Sequence, residues 1–279
     1  MTNNFKMLKP PIPRLGGKSR LRKKIISMLP EHKCYAAPFF GVGWVFFGKQ
    51  QSKVEVINDI DGELMNLFKM IKYHAEEIDR VMFYEVSSRD RFNQYKRADI
   101  ENLTEIQRAV RYIYIISQSF ASKGGCYGYG TNTRPSPQIY NTEFLVDLKK
   151  RLRNTYIENL DYKVIFKKYD REWTFFFCDP PYLDTDIKFS SGCKINFDKE
   201  EHIKLSNILK NIKGKFLLTI NDHPFIRELY EGFNVIETKV NYSVAKKSSS
   251  RKRYRELIIT NYDVDYGNFN SEEYLSKVV

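Results

Sequence analysis

Segments with the hydrophobic pattern of strands alternate along this chain with segments that have the pattern of helices. Short apolar or alternating stretches at residues 34–43, 53–60 and 175–178 predict strands, and the first of them runs into a glycine turn. Residues 20–29 and 61–74 instead repeat hydrophobic residues at helical spacing. Because strands and helices follow each other in turn, the pattern predicts an α/β fold built on a parallel sheet.

The alternation stops at about residue 75 and resumes at about residue 156. The stretch between them has a helical or irregular pattern, with its best helix at residues 104–120. We therefore predict one α/β domain formed by residues 1–74 and 154–279, with residues 75–153 inserted as a second, smaller unit. The remaining predicted elements are helices at 199–212 and 224–232, a strand at 215–220, and an antiparallel edge pair at 233–242 and 256–262.

Composition and charge narrow the class of protein. The 279 residues are 42% hydrophobic, and no apolar run approaches the roughly 18 residues of a membrane span. The first residues lack the apolar segment of a signal peptide, so we expect a cytoplasmic protein. The four cysteines form no metal-binding pair, so we expect no metal. The formal net charge is +12, with basic clusters at 18–24, 149–153 and 246–255, which favours a polyanionic partner such as nucleic acid.

Candidate ligand-binding residues stand at three predicted strand ends. The glycine turn at residues 40–43 follows the first strand, and Asp59 and Asp179 end two others. Open α/β sheets bind ligands at the carboxyl ends of their strands, where a carboxylate can accept both hydroxyls of a ribose. Asp59 has a second interpretation, as the N-cap of the helix that follows it. Two acids and a glycine turn at one sheet edge together predict a nucleoside-binding crevice.

The segment FFFCDPPYLDT, residues 175–185, ends an apolar strand on a carboxylate. Proline has no amide hydrogen and fixes φ, so the strand has to stop at Asp179 or Pro180. This stop holds the Asp179 carboxylate, the Pro180 carbonyl and the ring of Tyr182 close together.

Asp179, Pro180, Pro181 and Tyr182 resemble the Asp-Pro-Pro-Tyr signature of amino-methyltransferases that act on nucleic-acid bases. The chain around them resembles the Dam-like family of adenine-N6 DNA methyltransferases, in the motif order of that family. The resembling segments are GGKSRL, APFFGVGWVFF, INDIDGELMNLFKMIK, ENLDYKVI, FLLTINDHPFIRELYEGF and RYRELIITNY, at residues 16–21, 37–47, 57–72, 158–165, 216–233 and 253–262.

The resemblance implies a fold and a cofactor. The fold would be the Rossmann-like sheet of methyltransferases that use S-adenosylmethionine, and residues 75–153 would be an inserted, mainly helical target-recognition domain. Lys18 would meet the carboxylate of the cofactor, Asp59 its ribose, and Asp161 and Tyr162 its adenine. The full set of implied cofactor contacts is Arg14, Gly16, Lys18, Pro38, Phe39, Phe40, Gly41, Asp59, Asp161, Tyr162 and Asp179.

The chemistry of the Asp-Pro-Pro-Tyr motif agrees with methyl transfer to a base. An exocyclic aromatic amine is a poor nucleophile, because its lone pair is delocalised into the ring. The Asp179 carboxylate and the Pro180 carbonyl can accept its two hydrogens, which aims the lone pair at the methyl group. Tyr182 offers a ring face for a base that has been flipped out of the duplex.

Double-stranded DNA is the partner that the resemblance implies. The glycine- and tyrosine-rich segment at residues 121–140 offers groups for base edges, and the basic clusters offer cations for phosphate. The predicted DNA contacts are Lys123, Arg134, Lys149, Arg151, Lys246, Lys247, Arg251 and Lys252. A bacterial or phage origin and a cognate restriction endonuclease as a second partner go with this interpretation.

Two residues depart from the family pattern, and other functions stay open. Ala37 stands where the family usually has an acid before the proline of its glycine motif, and Arg14 replaces a common aromatic residue. The alternatives are methylation of cytosine N4, a DNA-binding module that has lost catalysis, and RNA as the substrate. Serine more often precedes the two prolines in cytosine-N4 enzymes, so Asp179 favours adenine.

Overall fold

The computed structural model describes residues 6–13, 18–128, 144–183, 187–188, 194–195, 197–241 and 253–264. Its strands, in chain order, are β1 Cys34–Ala37, β2 Val54–Asn58, β3 Thr155–Glu158, β4 Thr174–Cys178, β5 Ile187–Lys188, β6 Lys194–Ile195, β7 Lys215–Asn221, β8 Asn234–Asn241 and β9 Arg253–Thr260. Its α-helices are α1 Arg22–Ser27, α2 Trp44–Gly48, α3 Gly62–Phe83, α4 Arg89–Arg97, α5 Glu105–Gln118, α6 Leu145–Leu152, α7 Tyr162–Tyr169, α8 Lys199–Asn211 and α9 Pro224–Leu229.

Seven of these strands form one sheet, in the order β3-β2-β1-β4-β7-β9-β8. Its neighbouring strands are parallel, except that β9 runs antiparallel to β7 and to β8. The predicted α/β class and the predicted antiparallel edge pair are therefore confirmed. Strands β5 and β6 form a separate antiparallel pair.

Helices cover both faces of the sheet, which explains the short, continuous apolar runs of its central strands. Tyr35 and Phe175 point into one buried cluster, while Ala36 and Phe176 point into the other. Each residue named here is completely buried. None of the described helices is both long and apolar enough to cross a membrane.

The helices between residues 75 and 153 share the core of the sheet. Buried residues of α5 and α6, such as Ile113 and Leu148, belong to the same cluster as Tyr35 and Phe175. A smaller cluster around Phe92 packs α4 against α5. The predicted division into two units is not decided by this packing and stays a prediction.

Local sequence signals set several helix ends. Thr104 begins α5 with a capping box, because its hydroxyl accepts from the Gln107 amide while the Gln107 side chain accepts from the Thr104 amide. The predicted end of α3 at residue 74 coincides with a kink at His74, and the helix then continues to Phe83. The hydrophobic pattern therefore located the kink rather than the end of the helix.

Arg151 is buried, so its predicted contact with DNA phosphate is wrong. Its guanidinium donates to both carboxylate oxygens of Glu55 and to the Phe46 carbonyl. The Lys49 ammonium lies 2.5 Å from one oxygen of the same carboxylate. Burial lowers the pKa of Lys49 to about 8. Burial acts to raise the pKa of Glu55, but Arg151 and Lys49 lower it on balance.

Candidate active site

The glycine turn after β1 is tied to Asp59 at the end of β2. The Gly41 amide donates to Asp59 Oδ2 at 2.8 Å, and the Asp61 amide donates to Asp59 Oδ1 at 3.0 Å. Asp61, not Asp59, caps α3, since its side chain accepts from the Leu64 amide. The helix-cap interpretation of Asp59 is therefore wrong. Asp59 holds the turn instead, and its carboxylate keeps further lone pairs for hydroxyl donors.

Two glycines of this turn have positive φ, each with a different surrounding. Gly43 has φ +78°, and an added Cβ would lie 2.4 Å from the Phe40 ring, so no side chain fits there. Gly41 has φ +53°, and an added Cβ would meet no described atom within 4 Å. Open space beside Gly41 and Asp59 suits a ligand that needs close approach to the backbone.

Asn58 joins the ends of three strands, a role that the sequence analysis missed. Its side-chain amide donates to the carbonyls of Pro38 and Leu160 at 2.9 and 3.0 Å, and its carbonyl oxygen accepts from the Leu160 amide at 2.8 Å. Asn159 adds a bond to the Asp59 carbonyl at 2.7 Å. A buried asparagine at the end of an apolar strand is the signal that could have predicted this link.

Four of the predicted cofactor contacts lie in different surroundings. The rings of Phe39 and Tyr162 lie 5.0 Å apart and tilted by 34°. The Phe40 ring turns the other way, into the core beside Phe46 and Phe68. Asp161 is exposed and caps α7 by accepting from the Lys163 amide. Asp161 and Tyr162 stay predicted adenine contacts, and Phe39 is an aromatic neighbour of Tyr162.

A hydrogen bond from its own hydroxyl fixes the position of the Tyr162 ring. The hydroxyl donates to Glu201 Oε2 at 2.8 Å, and the ring also packs 5.7 Å from the Phe197 ring. Burial, together with the Glu201 carboxylate, raises the pKa of Tyr162. Ile60, which the sequence analysis did not select, is 52% exposed between Asp59 and Asp61 and adds apolar surface next to the Asp59 carboxylate.

The Asp-Pro-Pro-Tyr motif begins directly after β4, a central strand that lies between β1 and β7. Asn221 at the end of β7 clamps the chain after the motif. Its side chain accepts from the Leu183 amide at 3.1 Å and donates to the Leu183 carbonyl at 3.3 Å. Pro180 is buried, while Pro181 and Tyr182 are partly exposed. The motif is therefore held at both ends by the sheet.

A buried ammonium joins the two ends of the motif. Lys18 Nζ lies 2.7 Å from Asp179 Oδ1 and donates to the Tyr182 hydroxyl at 2.5 Å. Thr219 on β7 also donates to Asp179 Oδ1, at 2.9 Å. Burial raises the pKa of Asp179, and the lowering by Lys18 does not cancel this rise. The predicted contact of Lys18 with the cofactor carboxylate stays a prediction.

The remaining predicted contacts have mixed outcomes. Lys123 is exposed in the loop after α5. Lys149 is partly exposed and pairs with Glu76 at 2.7 Å, so its contact with phosphate stays a prediction. The predicted contacts outside the described residues are Arg14, Gly16, Arg134, Lys246, Lys247, Arg251 and Lys252. No group of three or more metal-ligating side chains occurs in the described part of the chain.

Comparison with known proteins assigns this arrangement to a family. The D12 class N6 adenine-specific DNA methyltransferases match residues 15–244, a range that includes the glycine turn, Asp59 and the Asp-Pro-Pro-Tyr motif. The chain belongs to this family. The members are enzymes that methylate adenine in DNA, so the resemblance seen in the sequence is confirmed, and adenine is favoured over cytosine. The sheet order is consistent with a methyltransferase that uses S-adenosylmethionine.

Individual relatives cover most of the chain. The type II methyltransferase M1.LlaDCHI of Lactococcus lactis subsp. cremoris is 28% identical over 88% of this chain and 93% of its own length. The type II methyltransferase M.MjaIII of Methanocaldococcus jannaschii is 27% identical over 91% of this chain and 99% of its own. A DNA adenine methylase of Haemophilus influenzae is 25% identical over 87% and 90%.

Proposed function

We propose that this D12 class methyltransferase transfers the methyl group of S-adenosylmethionine to the exocyclic N6 of an adenine flipped out of double-stranded DNA. The observation that carries the proposal is the arrangement at the carboxyl edge of the sheet. There, the Asp179 carboxylate stands at the end of β4 with Lys18 and Tyr182, and β1 and β2 end beside it in the turn held by Asp59.

The residues at this edge suit the adenosine part of S-adenosylmethionine. Asp59 presents a carboxylate to ribose hydroxyls, and the open space at Gly41 admits the sugar close to the backbone. Phe39, Tyr162 and the exposed Ile60 supply apolar surface for a purine. When bound, the cofactor supplies an electrophilic methyl group on a sulfonium.

Asp179 and Pro180 would activate the target amine. The Asp179 carboxylate and the Pro180 carbonyl each accept one amino hydrogen, which turns the nitrogen lone pair out of the plane of the base. The acceptors are preorganised by the proline ring and by the clamp of Asn221 on Leu183, so little reorganisation is needed during the reaction. Tyr182 stacks on the extruded base.

Expression in a host without DNA methylation tests the proposal. Single-molecule sequencing of the host DNA should detect N6-methyladenine in one sequence context, and cells that express Asp179→Ala should lack it. Methylcytosine in place of methyladenine would contradict the proposed target. Unmodified DNA, together with purified protein that binds no S-adenosylmethionine, would contradict the proposed reaction.

Asp59→Ala should weaken S-adenosylmethionine binding by about 10-fold or more and leave DNA affinity nearly unchanged, because a carboxylate that accepts hydroxyl hydrogens is lost. Calorimetric titration with the cofactor and fluorescence anisotropy with a duplex measure the two affinities. Asp99→Ala, at the exposed cap of the 3-10 helix Ile100–Asn102, is the matched control. Equal cofactor affinity in Asp59→Ala and wild type would limit Asp59 to holding the turn.

We propose that the loop after α5 approaches DNA. Tyr112 of α5 bonds to Asp61, and Arg108, one turn earlier, bonds to Glu63, so α5 runs antiparallel to the start of α3. Because α3 starts at the carboxyl edge of the sheet, the C-terminal end of α5 points to that edge. Residues 119–128 therefore extend on the side where a flipped base would enter.

The surface around this loop is basic. Lys96 of α4 donates to the Gly124 carbonyl at 2.9 Å, and the Arg89 guanidinium lies 5.2 Å from the centre of the Tyr127 ring. Lys123 adds a third exposed cation. Phosphate contacts of this kind would position the duplex without reading its sequence.

Alanine at Arg89, Lys96 and Lys123 together should lower DNA affinity for all sequences alike. The dependence of log Kd on log salt should flatten by about 0.9 per lost contact. The control is alanine at Lys33, Lys53 and Lys215, three exposed lysines at the opposite edge of the sheet, where β1, β2 and β7 begin. Fluorescence anisotropy at several salt concentrations measures the DNA affinity and its salt dependence for the two variants. If alanine at Arg89, Lys96 and Lys123 leaves the salt dependence of Kd as in wild type, this surface does not contact DNA phosphate.

The same proposal includes the basic loop near the C-terminal end, a protein partner and the place where the enzyme acts. The predicted basic loop at residues 246–255 lies mostly outside the described residues, and its grip on the DNA backbone stays a prediction. A cognate restriction endonuclease is supported by the type II methyltransferases among the relatives. Because DNA is the proposed substrate, we propose that the enzyme is cytoplasmic and associated with the nucleoid.

A further inference from the structure

The Asp179 carboxylate is held asymmetrically. Oδ1 receives two donors, the Lys18 ammonium at 2.7 Å and the Thr219 hydroxyl at 2.9 Å. Within the part of the chain that the structure describes, no donor is bonded to Oδ2. The two oxygens are thus unequal before any base arrives, and Oδ2 is the one with spare acceptor capacity.

A second buried acid stands behind Lys18. Glu256 on β9 pairs across the sheet with Asn221 on β7 and is 0% exposed. Its Oε2 lies 4.0 Å from Lys18 Nζ. The ammonium therefore lies within ion-pair distance of two carboxylates, and it also bonds to the Tyr182 hydroxyl. Glu256 is completely buried in the sheet, and its proximity to Lys18 links it to the Asp179 carboxylate.

We propose that Glu256 is a positioning residue, which holds the Lys18 ammonium on Asp179 Oδ1 and on the Tyr182 hydroxyl and so makes Oδ2 the oxygen that accepts the amino hydrogen of the target base. The inference rests on the proposed function of Asp179. It adds a residue of β9 to the site and assigns different tasks to the two oxygens of one carboxylate.

The physical reason lies in the lysine side chain. Lysine is a compact charge on a flexible four-carbon stem, so one ion pair leaves it several orientations. A second carboxylate within 4.0 Å of the ammonium reduces the number of positions that the Lys18 side chain can take. Misplacement of a catalytic group by about 1 Å can cost 100-fold in rate, so restriction of Lys18 bears directly on Asp179.

The charges around Asp179 predict opposite effects of the two neighbours. Lys18 lowers the pKa of Asp179 and Glu256 raises it. Among the described residues, the Cys178 thiol and the Tyr35 phenol also interact with the Asp179 charge, and burial raises the pKa of both, which keeps them neutral at ordinary pH. Removal of the Glu256 charge should therefore lower the pKa of Asp179, and removal of the Lys18 charge should raise it.

The experiment compares Glu256→Gln, Lys18→Met and the exposed control Glu172→Gln. The pKa of the Asp179 carboxyl is measured by ¹³C NMR in the protein without substrate, and kcat and KM for a DNA duplex are measured as a function of pH. We expect Glu256→Gln to lower kcat by about 10-fold to 100-fold with KM nearly unchanged. Its Asp179 pKa should fall, that of Lys18→Met should rise, and the control should match wild type.

Each outcome decides the inference. A wild-type kcat together with an unshifted Asp179 pKa in Glu256→Gln would overturn it. If that variant does not fold, Glu256→Asp keeps the charge but withdraws it from Lys18, and a wild-type kcat there would overturn the inference equally. Because the NMR titration needs neither DNA nor cofactor, it reports on Glu256 even if the proposed methyl transfer proves wrong.

Discussion

Asp179→Ala should lower the rate of methyl transfer by about 100-fold or more, the usual cost of removing one preorganised electrostatic contact. The amine would keep the Pro180 carbonyl as an acceptor but lose the carboxylate that orients its second hydrogen. The fold should survive, because burial already raises the pKa of Asp179 and so disfavours its charged form in the folded protein. Lys18 would keep the Tyr182 hydroxyl and the Glu256 carboxylate as neighbours.

Single-turnover methylation of a duplex, with thermal unfolding of the same samples, checks this expectation. Asp222→Ala is the matched control, since Asp222 follows the neighbouring strand β7 but pairs with Arg227 at the surface. Asp179→Asn keeps the shape of the side chain and removes its charge. Near wild-type turnover in Asp179→Ala would show that Asp179 takes no part in methyl transfer.

Glu55→Ala should destabilise the folded protein by about 3–5 kcal/mol, the cost of breaking a buried ion pair from one side. Glu55 is 1% exposed and neutralises two buried cations, Lys49 and Arg151. Without it, the Arg151 guanidinium stays in the core without its carboxylate, and Lys49, whose pKa burial already lowers to about 8, loses the neighbour that favours its charged form.

Urea unfolding measures the loss. Glu77→Ala, which breaks an exposed pair with Arg80, should leave the midpoint unchanged. A triple variant, Lys49→Met with Glu55→Leu and Arg151→Met, should recover most of the stability, because apolar residues of similar size often replace a buried ion group without loss. A Glu55→Ala midpoint equal to that of wild type would show that water reaches the two cations.

The fold was predictable from local pattern for specific reasons. Apolar runs such as residues 175–178 identified central strands that are covered on both faces, and the prolines after Asp179 required the strand to end there. The kink of α3 at His74 appeared in the pattern as a helix end. The helices within 75–153 were predicted only in outline, because their apolar faces complete the same core as the sheet.

The sequence by itself determined the α/β class, the enzyme family and the position of Asp179 at a strand end, because periodicity, proline geometry and motif order are local properties of the chain. Only the tertiary structure decided which charges meet. Strand order brings Lys18, Thr219 and Glu256 to Asp179, and it places Arg151 on Glu55 instead of on DNA. Side chains that meet from distant parts of the chain leave no local pattern in the sequence. A basic residue also looks the same in the sequence whether the fold buries or exposes it.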